Sequence, residues 1–424
     1  MDNDNAKYVI VMSRRIPLLT ISALFFSILL ILSTTVPIVQ IGKLCASESG
    51  HGAIQDNDLV EEYWPTNGWR NSTPEEQHMN AAELQEMIDH IIDENQNIHS
   101  VIVVRHGYVV LEEYPNPGSG HCKGNSYNGT HYLYSVTKSF ISCLTGIAID
   151  KGFIDNVSQT VLSLFPNRTF ANMDERKERL TLENLLTMRS GFPEISNEGW
   201  HLNFNTSGGV QYILDRPMEA EPNEIWRYQG GPPHLVSGII QENTGMTTLE
   251  FGRKYLFNPL GIEQVYWPRD MQGVYFGASD LQLRPLDMAK FGYLFLKNGE
   301  WDDEQIVSAN WVEDSTSTYT TLDDQYGYGY LWWTLHDIGV FYAAGMWGQY
   351  IFVAPDYDLV AVFTSGLIGQ LDEIRQMLRE YILAAVLDDP LPINWTIPAI
   401  ASIIIAIPVI ITIAWVVKKR RVAR

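Results

Sequence analysis

Tyr134-Ser135-Val136-Thr137-Lys138 opens an apolar run, Phe140, Ile141, Leu144, Ile147, Ala148 and Ile149, that recurs with helical spacing. Ser135 and Lys138 are three residues apart, so a helix sets them on one face about a turn from each other. A serine hydroxyl is a weak nucleophile at neutral pH unless a base takes its proton. A lysine serves as that base only when burial or a neighbouring cation lowers its pKa. The apolar run predicts a helix held in a core, which desolvates the ammonium and leaves Ser135 at the helix N-terminus, where backbone N–H groups favour negative charge. In isolation the same spacing also describes an N-capping serine followed by a solvated lysine. One Ser-x-x-Lys is expected roughly by chance in a chain this long, so its surroundings decide.

Working outward, two uncharged apolar segments flank everything else in the 424 residues. Residues 16–41 follow Ser13-Arg14-Arg15, and residues 393–417 precede Lys418-Lys419-Arg420-Arg421. Each is long enough to cross a bilayer. The cations outside each segment put residues 1–15 and the tail 418–424 in the cytoplasm and everything between the segments outside. Residues 16–41 read as a retained anchor; with their basic flank and the small residues Ala46-Ser47, a cleaved signal peptide is the alternative. Residues 42–60 are small and polar, a linker into a domain over 61–388.

The formal net charge is −21. The terminal segments hold Lys7, Arg14, Arg15, Lys43 and the cations of the C-terminal tail against only Asp2 and Asp4, so the middle is more acidic than the whole. Such a surface repels nucleic acid, which argues against DNA or RNA partners. Of the three cysteines, Cys143 falls within the apolar run as a small core residue, Cys122 lies in a Gly- and Pro-rich loop, and Cys45 stands at a membrane edge. No disulfide framework and no Cys/His ligand spacing are present, so no metal or cofactor is expected. Six Asn-x-Ser/Thr sequons, at Asn71, Asn128, Asn156, Asn167, Asn205 and Asn394, agree with an exported, glycosylated middle.

Apolar periodicity predicts a helix over Asn80–Asn95, a hairpin of Ser100–Val104 and Tyr108–Glu113 turning at His106-Gly107, and the Ser135 helix closed by Gly152. Residues 153–270 read as mostly helical, with helices from Leu180 to about Ser190 and over Pro232–Glu242; Leu286–Asn298 is a further helix. Strand character returns at Tyr326–Thr334, Val340–Ala344, Tyr350–Ala354 and Leu359–Ser365, and Leu371–Val386 is a closing helix. Strands, then helices, then strands, then a helix describe an α+β domain built from both ends of the soluble chain with a helical lobe inserted over about 153–270.

An acyl-transfer site also needs a proton shuttle and oxyanion donors. Tyr228, in Trp226-Arg227-Tyr228-Gln229-Gly230 ahead of a helix, is a candidate shuttle, and a core tyrosine is the plainer alternative. Ala343-Ala344-Gly345-Met346-Trp347-Gly348-Gln349 lies between two late strands, where glycines permit close backbone approach to a ligand or simply make a tight hairpin.

In order and spacing these pieces resemble the serine β-lactamase and penicillin-binding-protein superfamily, in its class C-like esterase and 6-aminohexanoate-dimer hydrolase branch. Tyr63-Trp64-Pro65-Thr66-Asn67-Gly68-Trp69-Arg70, Leu185-Leu186-Thr187-Met188-Arg189-Ser190-Gly191, Asp287-Met288-Ala289-Lys290-Phe291-Gly292 and Tyr350-Ile351-Phe352-Val353-Ala354-Pro355 extend the likeness from about Tyr63 to Val386. The resemblance implies a β-lactamase-like fold, an antiparallel sheet flanked by helices. It implies that Ser135 is acylated, that Lys138 deprotonates it, that Tyr228 relays a proton, and that the backbone N–H groups of Ser135 and Met346 form the oxyanion hole. Gly345, Trp347, Gln349 and Trp200 are candidates to line the substrate pocket.

Two departures bear on substrate. The third position of the family's Tyr-x-Asn is Gly230, and the cation of its Lys/His-x-Gly is replaced in Ala343-Ala344-Gly345. That cation holds a substrate carboxylate through charge-assisted bonds, so its loss argues against β-lactams and cell-wall peptides. The expectation is a membrane-anchored serine hydrolase acting on a small ester or amide outside the cytoplasm. An inactive or slowly turning-over scaffold or sensor with the same fold is the alternative.

Overall fold

The computed structural model describes residues 63–116, 122–123, 129–195, 209–369 and 371–388. The two apolar flanking segments therefore lie outside the described residues, and among the described residues no helix is long and apolar enough to cross a membrane.

The centre is a nine-stranded sheet. In chain order its principal strands are β1 (Ile98–Arg105), β2 (Tyr108–Glu113), β3 (Tyr326–Tyr328), β4 (Trp333–Leu335), β5 (Val340–Gly345), β6 (Gln349–Ala354) and β7 (Leu359–Ser365). Their spatial order is β2-β1-β7-β6-β5-β4-β3, with Arg70–Asn71 beside β2 and Thr320–Thr321 beside β3 at the edges. All pairings are antiparallel except that of Arg70–Asn71 with β2. The β1–β2 hairpin turns at His106 (φ 51°) and Gly107 (φ 79°), the paired left-handed conformation whose twist matches the flanking strands. Strand pairing β1–β7 joins residues some 250 positions apart, which is how the two ends of the domain share one sheet.

Strands β1, β6 and β7 are buried along their whole length, because helices cover both sheet faces. Alternate residues serve two cores. Ile102, Val104, Phe341, Ala343, Ile351, Val353, Val360 and Val362 pack with α2 (Thr137–Asp150) and α4 (Pro285–Leu296). Val101, Val103, Tyr342, Tyr350, Phe352, Ala361 and Phe363 pack with α1 (Ala81–Asp93) and α5 (Leu371–Met377). Phe140 of α2 stacks on Phe291 of α4 with ring centroids 3.7 Å apart, locking the nucleophile's helix to the sheet. Burying one such ring contributes about 1.5–3 kcal/mol.

Between Gly152 and the 270s the described residues form helices and isolated bridges, with no strand. Among them α3 (Gly231–Thr244) carries Pro232 and Pro233 in its first turn, where a missing N–H costs nothing. Three expected elements differ. The helix expected from Leu180 is only Leu182–Leu186, capped by Thr181 and Asn184 in a reciprocal box. Tyr326–Thr334 is two strands rather than one, since the chain reverses after Gly329 through Leu331 in the left-handed conformation (φ 63°). The closing helix is α-helical only to Met377; Leu378–Leu383 widens into a π-helical turn.

Candidate active site

Ser135 lies in a single 3₁₀ turn, Tyr134–Val136, that feeds straight into α2, so Lys138 falls in the first α-helical turn. The expected common helix is thus a tighter turn followed by an α-helix, and the side chains still meet. Lys138 Nζ is 2.8 Å from Ser135 Oγ and 2.8 Å from the Ala278 carbonyl oxygen. Lys138 is 4 % exposed while Ser135 is half-buried, a desolvated amine beside a reachable hydroxyl. Burial pushes the Lys138 pKa down to about 7, against the opposing pull of Asp280.

The acceptor at Ala278 is held by hydrogen bonds from the nucleophile segment itself. Leu133 N–H donates to Leu281 O at 2.8 Å, Leu281 N–H donates to Thr137 Oγ1 at 3.2 Å, and Thr130–Tyr132 pairs with Gln282–Leu283. From the other side, Ser139 Oγ donates to Leu331 O at 2.8 Å.

Ser135 acts on the Tyr228 phenol against the effect of burial, and the Tyr228 ring centroid is 4.9 Å from Lys138 Nζ. Burial raises its pKa to about 12, so the phenol keeps its proton at neutral pH. Its loop is pinned by Arg227 N–H to Met188 O (2.9 Å) and by Arg227 Nη1 to Phe192 O (3.1 Å) and Glu219 (2.8 Å). That pinning explains why Leu185–Gly191 matters to a site it does not enter.

Strand β5 delivers the last element. A Cβ on Gly345 would stand 2.2 Å from Leu133 O, so only glycine lets β5 approach the turn that carries Ser135. Beyond Gly345 the chain turns through Met346, Trp347 (φ 64°) and Gly348 (φ 87°) into β6. Tyr134 (φ 46°), on the opposite side of the approach, is also left-handed, and its ring meets that of Trp347 edge to face at 5.0 Å. Two large aromatic residues in this conformation, each adjoining an expected oxyanion donor, are backbone strain concentrated at a functional site.

Of the expected pocket residues, Gly345 and half-buried Trp347 stand at the site. Gln349 does not face a pocket: it is 2 % exposed and spends its amide on Ser365 O (2.6 Å) and Met346 O (3.3 Å). It braces the Met346 turn, a task invisible in a linear motif. Trp200 lies outside the described residues. Ala343, at the position where the family carries its cation, is fully buried against α2 and α4. Sequence reading missed Ala278, because a backbone carbonyl leaves no residue-type signature, and Trp333, whose ring lies 5.3 Å from that of Tyr228.

A serine with a buried lysine and a tyrosine on this three-layer fold defines an acyl-serine hydrolase class. Residues 88–372 match the Beta-lactamase family, and the chain belongs to it. It is 22 % identical over 283 residues to the 6-aminohexanoate-dimer hydrolase of Paenarthrobacter ureafaciens, covering 61 % of this chain and 70 % of that one. The structure is similar to the octameric penicillin-binding protein homologue from Pyrococcus abyssi (TM-score 0.56, 18 % identity, 72 % of this chain and 77 % of that chain). It is similar as well to EstCE1, a hydrolase with promiscuous acyltransferase activity (TM-score 0.59, 16 % identity, 73 % and 98 %). At these identities the structural likeness establishes the fold. The chain is a serine hydrolase of the β-lactamase and penicillin-binding-protein superfamily.

Proposed function

We propose that this protein is a membrane-anchored hydrolase that cleaves small neutral esters or amides through an acyl-Ser135 intermediate, with its catalytic domain outside the cytoplasm. The observation that carries the reading is the 2.8 Å contact of Ser135 Oγ with a lysine whose pKa burial lowers to about 7. Neutral Lys138 takes the hydroxyl proton as Oγ attacks the substrate carbonyl carbon. The oxygen that becomes negative is held by the N–H groups of Ser135 and Met346, a role supported by the close approach of Gly345 to the Leu133 carbonyl. Collapse breaks the bond to the alcohol or amine, which leaves with a proton passed from Lys138 through the Tyr228 hydroxyl. Water then attacks the acyl carbon and gives its proton to Lys138, the bond from that carbon to Ser135 Oγ breaks, and Lys138 returns the proton to Oγ as the acid leaves.

The buried alanine at position 343 supports the preference for neutral substrates, since no cation stands there to hold a carboxylate. Membrane anchoring rests on the apolar segments 16–41 and 393–417 and the cations beside them. The test is turnover of a neutral ester and of a penicillin by the full-length protein and Ser135→Ala, together with protease access to the domain in sealed cells. The reading expects ester cleavage lost in the variant, little penicillin turnover and digestion from outside. Efficient penicillin turnover, or a domain protected from added protease, contradicts the corresponding part.

A further inference from the structure

Ser135 is flanked by two groups of aromatic side chains that pack against one another yet keep part of their surface open. On one side Tyr134 and Trp347 meet at 5.0 Å. On the other, Tyr228 lies 5.3 Å from Trp333, and Trp226 lies 6.1 Å from Trp333. All five are half-buried, unlike the fully enclosed rings of the cores. Met346 is 56 % exposed beside the expected oxyanion N–H. Ile368 is 79 % exposed, one residue beyond Leu367, whose N–H donates to Trp347 O at 3.0 Å. Large exposed apolar side chains grouped beside a nucleophile mark a surface that meets an apolar ligand.

The charges near these walls are already engaged. Lys138 is pushed toward its neutral form, Asp280 faces Lys138 and accepts from Ser279 Oγ, and Arg227 is paired with Glu219. Tyr134 and Trp347 also hold left-handed backbone, which a large side chain adopts at an energetic penalty. Polar or small residues at these positions would relieve it, so the rings themselves have a use.

We infer that the substrate carries an uncharged apolar arm, aryl or alkyl, seated on these aromatic walls beside the scissile carbonyl. The inference rests on the acyl-serine reading above and narrows its substrate class to lipophilic esters or amides. Flat, rigid rings bury large area against such an arm at little entropic cost, and charged or short arms leave that area wet. Selectivity is then set by the walls and acts mainly on substrate binding.

The test is the selectivity ratio, kcat/KM for a phenylacetate ester over that for the acetate of the same alcohol, measured on the full-length protein. Trp333→Leu and Trp347→Asn are compared with wild type, asparagine being chosen because it tolerates left-handed backbone. Taking each ratio relative to wild type cancels partition of the esters into detergent. Labelling of Ser135 by a small fluorophosphonate checks that each variant retains a folded site. The expected wild-type ratio exceeds ~10, with roughly fourfold gained per methylene across the acetate-to-butyrate series, and at least one variant lowers the ratio ~10-fold chiefly through KM. A wild-type ratio near one, or an unchanged ratio in both labelled variants, overturns the apolar arm and leaves the acyl-serine reading standing. Loss of both labelling and ester cleavage in the wild type overturns that reading, and this inference with it.

Discussion

Lys138 Nζ donates to the Ala278 carbonyl at 2.8 Å while standing 2.8 Å from Ser135 Oγ. The family's Tyr-x-Asn motif offers a side-chain amide for this work, and here its position is Gly230. Lys138 is held here by backbone carried on the 278–281 loop, which hydrogen bonds from Leu133 and to Thr137 tie to the nucleophile. Loss of the motif asparagine therefore leaves the lysine aligned.

The first consequence concerns pH. A lysine with its pKa near 7 is the free base above that value, so kcat/KM is expected to fall tenfold per unit below about pH 7. Asp280 favours the charged ammonium, so Asp280→Asn is expected to move the acid limb to lower pH. A pH–rate profile of both proteins measures this, and an acid limb that stays in place removes Asp280 from the account.

Lys138 also links activity to stability. Its folded pKa lies below the ordinary lysine value of 10.5, so the unfolded chain binds more protons between about pH 7 and 10.5. The burden of burying the lysine is fully felt below pH 7 and is relieved as pH rises through that window. Lys138→Met is expected to lower turnover by ~10²–10⁴ while the melting temperature at pH 6 stays level or rises. A melting temperature that drops steeply together with activity would make Lys138 a structural residue.

Tyr228→Phe removes a phenol that keeps its proton at neutral pH beside Ser135. The ring's contacts with Trp333 and Tyr328 remain, so folding is expected to be intact. Pre-steady-state measurement is expected to show acylation or deacylation slowed by ~10²-fold or more. Equal rates in the two proteins would reduce Tyr228 to packing.

Gly345→Ala tests the approach of β5. The added methyl meets Leu133 O at 2.2 Å, so either the strand or the Ser135 turn must shift. Destabilisation of about 1–3 kcal/mol is expected, with activity falling further than stability because the Met346 N–H moves with the strand. Denaturant unfolding and kcat/KM on the same sample separate the two effects.

Much of this was legible in the chain because each strong signal had one physical source. The hairpin at His106-Gly107 combines a turn dipeptide with β-branched runs on either side, and Leu359–Ser365 matches β7 because every residue in it is apolar or small. The contact of Lys138 with Ser135 follows from helical geometry whether the turn is 3₁₀ or α. What escaped reading depends on tertiary placement. Nothing local tells a pocket glutamine from Gln349, which turns inward to brace Met346, and nothing local announces that the Ala278 carbonyl accepts from Lys138. Tyr326–Thr334 looked like one strand because aromatic content outweighed the glycines that fold it back on itself.

The central claim is that Ser135 is an activated nucleophile, and the most direct measurement is the intact mass of the protein after exposure to a fluorophosphonate. The account predicts one adduct on the wild type, faster to form above pH 7 than below it, and none on Ser135→Ala. A folded wild type that takes no adduct, or an adduct that persists in Ser135→Ala, would contradict it.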